Sequence, residues 1–274
     1  MSSSTELFER LLGVIARLRD PKTGCPWDLE QTHESLKPYL IEEAYEALDA
    51  IDQGKTDKRY LKLSEELGDV LLQVVLHSQI AKDNKEFSID DVLRNLTEKL
   101  IHRHPHVFAD LKVSSARQVT ENWERLKQKE QPDSKNLLAG LPKSMPALLK
   151  CHRIGEKVGR VGFDWTDSKE VREKVREELN EFLEADDKVQ QRDPAHVKEE
   201  LGDMLFTLAQ LARKMGLNAE DVLMEANDKF CGRFRQIEEL SGHKLAEKTP
   251  EQLEAYWQQV KAKEKAATKK SQPK

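Results

Sequence analysis

The pentapeptide Glu65-Glu66-Leu67-Gly68-Asp69 returns downstream as Glu199-Glu200-Leu201-Gly202-Asp203, and its surroundings return with it in the same order. Glu43-Ala44-Tyr45-Glu46 falls on Glu178-Leu179-Asn180-Glu181. Lys99 with Arg103 falls on Lys229 with Arg233, and Trp123 with Lys127 on Trp257 with Lys261. An offset that barely drifts over so long a stretch marks duplication of a whole domain, because a unit of this size has enough chain to enclose its own core.

A chain of 274 residues is long enough for two such domains. The expected division is a first domain over 1–131, a linker over 132–142, a second domain over 143–262 and a basic, disordered tail over 263–274. The seam carries Pro132, Asp133, Ser134, Gly140 and Pro142, which no regular element tolerates well. The tail has almost nothing to bury.

The periodicity is helical nearly throughout, so the expected fold class is all-α: two tandem helical bundles of roughly five helices each. Leu67, Val70, Leu71 and Val74 form one apolar stripe, answered by Leu201, Met204, Leu205 and Leu208. Leu40, Ala44, Ala47 and Leu48 form another, answered by Val175, Leu179, Phe182 and Leu183. Helix starts are expected at Asp57, Asp193-Pro194 and Thr249-Pro250, with capping boxes at Ser88/Asp91 and Asn218/Asp221.

A charged fraction of 35% and a mean hydropathy of -0.73 leave no stretch able to cross a bilayer. The first residues do not read as a signal peptide, and Cys25, Cys151 and Cys231 are isolated, which suits a reducing cytoplasm. A net charge of -5 gives no general attraction to nucleic acid, and no specific nucleic-acid binding is expected.

The chemistry lies in the acids. Side chains three apart share a helix face, so Glu43 and Glu46 point together, as do Glu66 and Asp69; Glu178, Glu181, Glu200 and Asp203 repeat the pattern. If the two helices pack through their apolar stripes, four carboxylates converge in each copy. Such a cluster is costly without cations, and its oxygen donors suit Mg²⁺ or Mn²⁺. Gly68 and Gly202 sit inside helices at a cost of roughly 1 kcal/mol each, which suggests close approach of another backbone or a ligand. A di-iron bundle would place His where Asp69 and Asp203 stand. His196 lies one turn before Glu200, but its counterpart is Lys62. His102, His104 and His106 flank Pro105 and read as a helix terminus.

The basic pairs Lys99/Arg103 and Lys229/Arg233, with Lys127 and Lys261 one turn beyond Trp123 and Trp257, are candidates for gripping phosphate. The loops Cys25-Pro26-Trp27-Asp28 and Gly162-Phe163-Asp164-Trp165 offer aromatic rings on which a base could stack, with Phe163 and Trp165 the candidates in the second copy. No P-loop is present.

Glu-x-x-Glu followed by Glu-x-x-Asp within Glu-Glu-Leu-Gly-Asp, in a tandem helical chain with Cys-Pro-Trp-Asp near its start, resembles the MazG family of all-α nucleoside triphosphate pyrophosphohydrolases. The resemblance implies Mg²⁺-dependent hydrolysis of ribo- and deoxynucleoside triphosphates to monophosphate and pyrophosphate. It implies Glu178, Glu181, Glu200 and Asp203 as catalytic metal ligands, with Glu43, Glu46, Glu66 and Asp69 matching in the first copy. Lys229, Arg233 and Lys261 would grip phosphates, with Trp257 lining the site, and bundles would be completed by homodimerisation. The phrase around Asn227, which stands where the first copy has Thr97, is the closer match to the family, so the second site is expected to be the stronger. Two alternatives remain: a narrower pyrophosphatase for dUTP, dCTP, damaged nucleotides or phosphoribosyl-ATP, and a non-catalytic helical nucleotide sensor or adaptor.

Overall fold

The computed structural model describes residues 3–130, 136–187 and 193–271. Among these, every regular element is a helix. The chain divides into two compact units, Met1–Pro132 and Asp133–Lys274.

The first unit holds α1 (Ser4–Leu18), α2 (Pro26–Glu30), α3 (Lys37–Asp57), α4 (Leu61–Asp83), α5 (Ile89–Arg103), α6 (Pro105–Phe108) and α7 (Ala116–Lys129). Its centre is the hairpin of α3 and α4, against which α1 packs. Ile15 of α1, Leu36, and Val75, Leu76 and Ile80 of α4 form the core. Small residues set the hairpin spacing. Ala47 and Ala50 are buried, and a Cβ at Gly54 would lie 2.3 Å from the Tyr60 ring, so this glycine is what lets the turn close.

The second unit holds α8 (Ala147–Gly159), α9 (Ser168–Asp187), α10 (Pro194–Lys214), α11 (Ala219–Leu240), a 3₁₀ turn (Leu245–Glu247) and α12 (Pro250–Ser271). Here α9 and α8 both pack on α10. Fully buried Gln210 donates to the Cys151 carbonyl at 2.6 Å and accepts from Arg213 Nε at 2.7 Å. Its amide lies where a Cβ of Gly155 would otherwise be, at 2.0 Å, so α8 can approach α10 only through glycine.

Several local expectations hold. Asp193 caps α10 by accepting from Ala195, Ser88 and Asp91 form a capping box, and Thr249 exchanges bonds with Gln252 at the start of α12. Pro105 separates α5 from α6 at the histidine cluster. Others are corrected. Asp57 does not open a helix but closes α3, where Lys58 turns left-handed at φ 54°. Asn218 caps α11 through the Glu220 amide instead of a box with Asp221. Cys25-Pro26-Trp27-Asp28 is not a loop, because Pro26 at the first helical position starts α2.

The largest correction concerns the leucine stripes, which do not join the paired helices. Leu67 is 53% exposed and Leu205 48%, and Leu40, Leu48, Leu71, Leu179, Leu183, Leu201 and Leu208 are exposed too. The small residues lie on the packed face, leaving the larger ones outward. The residues from Lys263, expected to be disordered, continue α12 to Ser271, since Lys, Ala and Glu are strong helix formers. Of the expected linker, residues 132–135 lie outside the described residues, as do 272–274 of the tail; residues 137–140 form turns, with Gly140 at φ 80°.

Candidate functional site

The paired acids of α3 and α4 meet at the hairpin seam, and those of α9 and α10 meet in the same way. One carboxylate oxygen from each of Glu43, Glu46 and Glu66 lies within 4.8 Å of the others, and Glu178, Glu181 and Glu200 form the equivalent trio. Each trio has one buried member. Glu66 is 7% exposed and Glu178 5%. Asp69 and Asp203, one turn beyond Glu66 and Glu200, are exposed and stand outside the trios. Three carboxylates thus form the tight cluster in each copy, with the fourth acid one turn away; in the first copy the charge of Asp69 still reaches Glu43.

Electrostatics reflect the crowding. Burial raises the Glu43 carboxyl above its ordinary value, and the charges of Asp69 and Glu46 raise it further. Burial likewise raises Glu181; Lys174 opposes this and Glu178 and Glu200 reinforce it. Nitrogen groups of the same chain contact these acids: Lys62 Nζ lies 3.3 Å from Glu66, Lys174 Nζ 2.9 Å from Glu178, and His196 Nδ1 3.3 Å from Glu200. Bonds to Glu177 and then Glu178 push Lys174 above the usual lysine range. Three hard oxygen donors with a buried member fit Mg²⁺ or Mn²⁺. Among the described residues, groups of three or more ligand side chains this close occur only at the two trios, so the histidines around Pro105 do not form one.

Gly68 and Gly202 are beside these acids, yet a Cβ at either would meet nothing within 4 Å. No part of the described chain makes the close approach that their cost suggested. Their face of the helix is the open one, shared with the leucines.

The basic candidates assemble between α11 and α12 rather than at the α9–α10 seam. Arg233 lies 5.5 Å from the Trp257 ring centre, and Phe230 packs on Trp257 at 5.3 Å. Lys229 lies on α11 close enough to act on Glu264, Lys261 lies on α12, and Asn227 is exposed on α11. The first unit repeats the pair, with Arg103 5.4 Å from the Trp123 ring centre. Two acids went unnoticed in the sequence: Glu264 bonds Arg233 and Glu130 bonds Arg103. Their signal was Trp-x-x-x-Lys-x-x-Glu, present in both copies, but Glu264 had been set aside with the tail.

The aromatic loop of the second unit borders a cavity of about 440 Å³ lined by Ile154, Val158, Phe163, Asp164, Trp165 and Phe206. Phe163 is 78% exposed at its mouth. Burial pushes the Asp164 carboxyl up, but bonds from Arg213 and Lys214 outweigh it and hold it below its ordinary value.

Fold and site define a tandem all-α protein with an acidic trio in each unit. The profile of the MazG nucleotide pyrophosphohydrolase domain matches residues 31–108 and 167–237. The chain is 45% identical over 265 residues to the nucleoside triphosphate pyrophosphohydrolase/pyrophosphatase MazG of Thermotoga maritima, covering 95% of this chain and 98% of that one. It is 42% identical over 263 residues to the nucleoside triphosphate pyrophosphohydrolase of Escherichia coli K12, covering 94% and 98%. The crystal structure of a mazG-related protein from Thermotoga maritima aligns at 29% identity and a TM-score of 0.36, covering 44% of this chain and 98% of that one. The chain belongs to the MazG family.

Proposed function

We propose that this chain hydrolyses nucleoside triphosphates, ribo and deoxy, to the monophosphate and pyrophosphate with Mg²⁺ as cofactor, Mn²⁺ being a possible substitute. The observation that carries the reading is the buried-carboxylate trio, built twice from the same pairs, in a chain whose full-length relatives bear the name of that activity. Glu178, Glu181 and Glu200 would hold the cation, with Asp203 completing the set from the next turn. Glu43, Glu46, Glu66 and Asp69 would do so in the first unit. Bound there, the cation would polarise the phosphoryl group, make a bound water more acidic and neutralise the leaving pyrophosphate.

The remaining work falls to the side chains. A carboxylate oxygen not used as a ligand can accept the proton of the attacking water. Lys229, Arg233 and Lys261 supply positive charge to the phosphates, with Trp257 and Asn227 alongside. Phe163 and Trp165 offer the base a surface at the cavity. Glu170, which borders that cavity, precedes Glu178 by eight residues on α9, about 12 Å along a helix, which suits a base and its phosphates bound at opposite ends.

A second copy of the chain is the natural cover for the exposed leucines, and we read the working form as a homodimer in the cytoplasm. No described helix is long and apolar enough to cross a membrane. The test of the reaction is product analysis. With ATP or dGTP and Mg²⁺, pyrophosphate supports the reading, and orthophosphate in its place overturns it.

A further inference from the structure

In each unit one arginine is held from two directions by the last helix. Arg233 Nε and Nη2 donate to one oxygen of Glu264 at 2.9 and 2.7 Å, while its guanidinium carbon lies 5.5 Å from the Trp257 ring centre. In the first unit Arg103 bonds Glu130 through the same two nitrogens and stands 5.4 Å from the Trp123 ring centre. Glu264 lies seven residues after Trp257, as Glu130 does after Trp123, so the ring and the carboxylate recur two turns apart on one helix face.

This geometry divides the guanidinium. A guanidinium offers five N–H donors in a rigid fork, and its two edges can bind separate acceptors. Glu264 engages the Nε–Nη2 edge and Trp257 lies beside the group, so the Nη1 donors are the ones this pairing leaves for a further acceptor. The charge of Lys229 helps the bond from Arg233 hold the Glu264 carboxyl below its ordinary value. With Lys229 near as well, one carboxylate does not cancel the positive charge of the group.

We propose that Glu264 is a positioning residue for Arg233, fixing the arginine so that its remaining donors meet the substrate phosphates without first being ordered. The inference rests on the proposed reaction, in which Arg233 grips phosphate. Ordering a long side chain on binding costs affinity, and pre-ordering removes that cost.

The test is the Michaelis behaviour of full-length Glu264→Gln, Glu264→Asp, Arg233→Ala and the Arg233→Ala/Glu264→Gln double variant with Mg²⁺ and ATP. Glu264→Gln should raise KM about tenfold, equivalent to 1.4 kcal/mol, with kcat within twofold of the wild type and an unchanged melting temperature. Glu264→Asp, which keeps the charge, should recover most of the loss. The double variant should be no worse than Arg233→Ala alone, because the positioning role of Glu264 is exerted through Arg233. Losses that multiply in the double variant would overturn the role, as would a KM that falls in Glu264→Gln, which would make Glu264 a competitor of the phosphates. If the wild-type chain releases no pyrophosphate, the reaction fails separately, and the same cycle read on the dissociation constant of Mg²⁺·ATP still decides the role of Glu264. Absence of any ATP binding overturns both.

Discussion

Lys174 Nζ lies 2.9 Å from Oε1 of Glu178, one turn further along the same helix, and so places a cation on the most buried carboxylate of the second trio. With this contact gone, Glu178 faces Glu181 and Glu200 uncompensated. Lys174→Met should therefore destabilise the second unit in chelator by about 1–2 kcal/mol, the lower part of the range for a charged hydrogen bond because the lysine is partly exposed. Saturating Mg²⁺ should raise the melting temperature of this variant more than that of the wild type, since a divalent ion then replaces the missing charge. Calorimetry with and without chelator reads both shifts, and equal Mg²⁺ gains in the two proteins would contradict the account.

The two trios share their geometry but not the basic side chains that contact them. The first has Lys62 on Glu66; the second has Lys174 on Glu178 and His196 on Glu200. With the closer family match around Asn227, the second unit is expected to carry turnover. Glu200→Ala with Asp203→Ala should lower kcat by at least about 100-fold, the upper end of what loss of a supporting group around a metal costs. Glu66→Ala with Asp69→Ala should cost less than tenfold. Equal losses from the two pairs, in steady-state pyrophosphate release, would show that the units contribute alike.

How much of this was legible in the sequence depended on which interactions are local. Glu43 with Glu46 and Glu178 with Glu181 could be placed on one face because helix geometry alone sets that spacing. How tightly Asp69 and Asp203 join the clusters could not be read, because spacing along a helix says nothing about the depth of the neighbouring one. Periodicity identified the leucine stripes, but it cannot tell a face that meets a partner helix from one left open, and the small residues Ala47, Ala50 and Gly54 decided otherwise. The Arg233–Glu264 bond joins residues 31 apart on different helices. Only the folded pair of α11 and α12 reveals it.

The raised carboxyls of Glu43 and Glu181 set a pH dependence. A carboxyl whose folded value is raised gives stability that is fully present below its ordinary value of 4.5 and is lost as pH climbs through the folded value. In chelator, Glu43→Gln and Glu181→Gln should therefore gain on the wild type in melting temperature as pH rises from about 4.5. The wild-type Mg²⁺ shift should grow over the same window, because the ion binds only ionised carboxylates. Thermal denaturation at half-unit pH steps checks both slopes, and a Mg²⁺ shift independent of pH there would refute the link.

The exposed leucines give the last expectation. Leu71 and Leu205 stand at equivalent positions of α4 and α10, on the same open side as Gly68 and Gly202, where an added Cβ would meet nothing of the described chain. A monomer seldom leaves such rows in water, and a homodimer would bury them while allowing a close backbone approach at the glycines. Burying a leucine contributes about 1.5–3 kcal/mol, and a charge in its place at an interface is strongly unfavourable. Leu205→Glu should thus shift the chain from dimer to monomer in light scattering at micromolar concentration. The helical circular dichroism should be retained, since the side chain is already exposed within one unit. Gly202→Leu should weaken association in the same way by occupying the space of the approaching backbone. A wild-type chain that is monomeric in this measurement, or a Leu205→Glu variant that remains a dimer, would leave the open face to some other occupant.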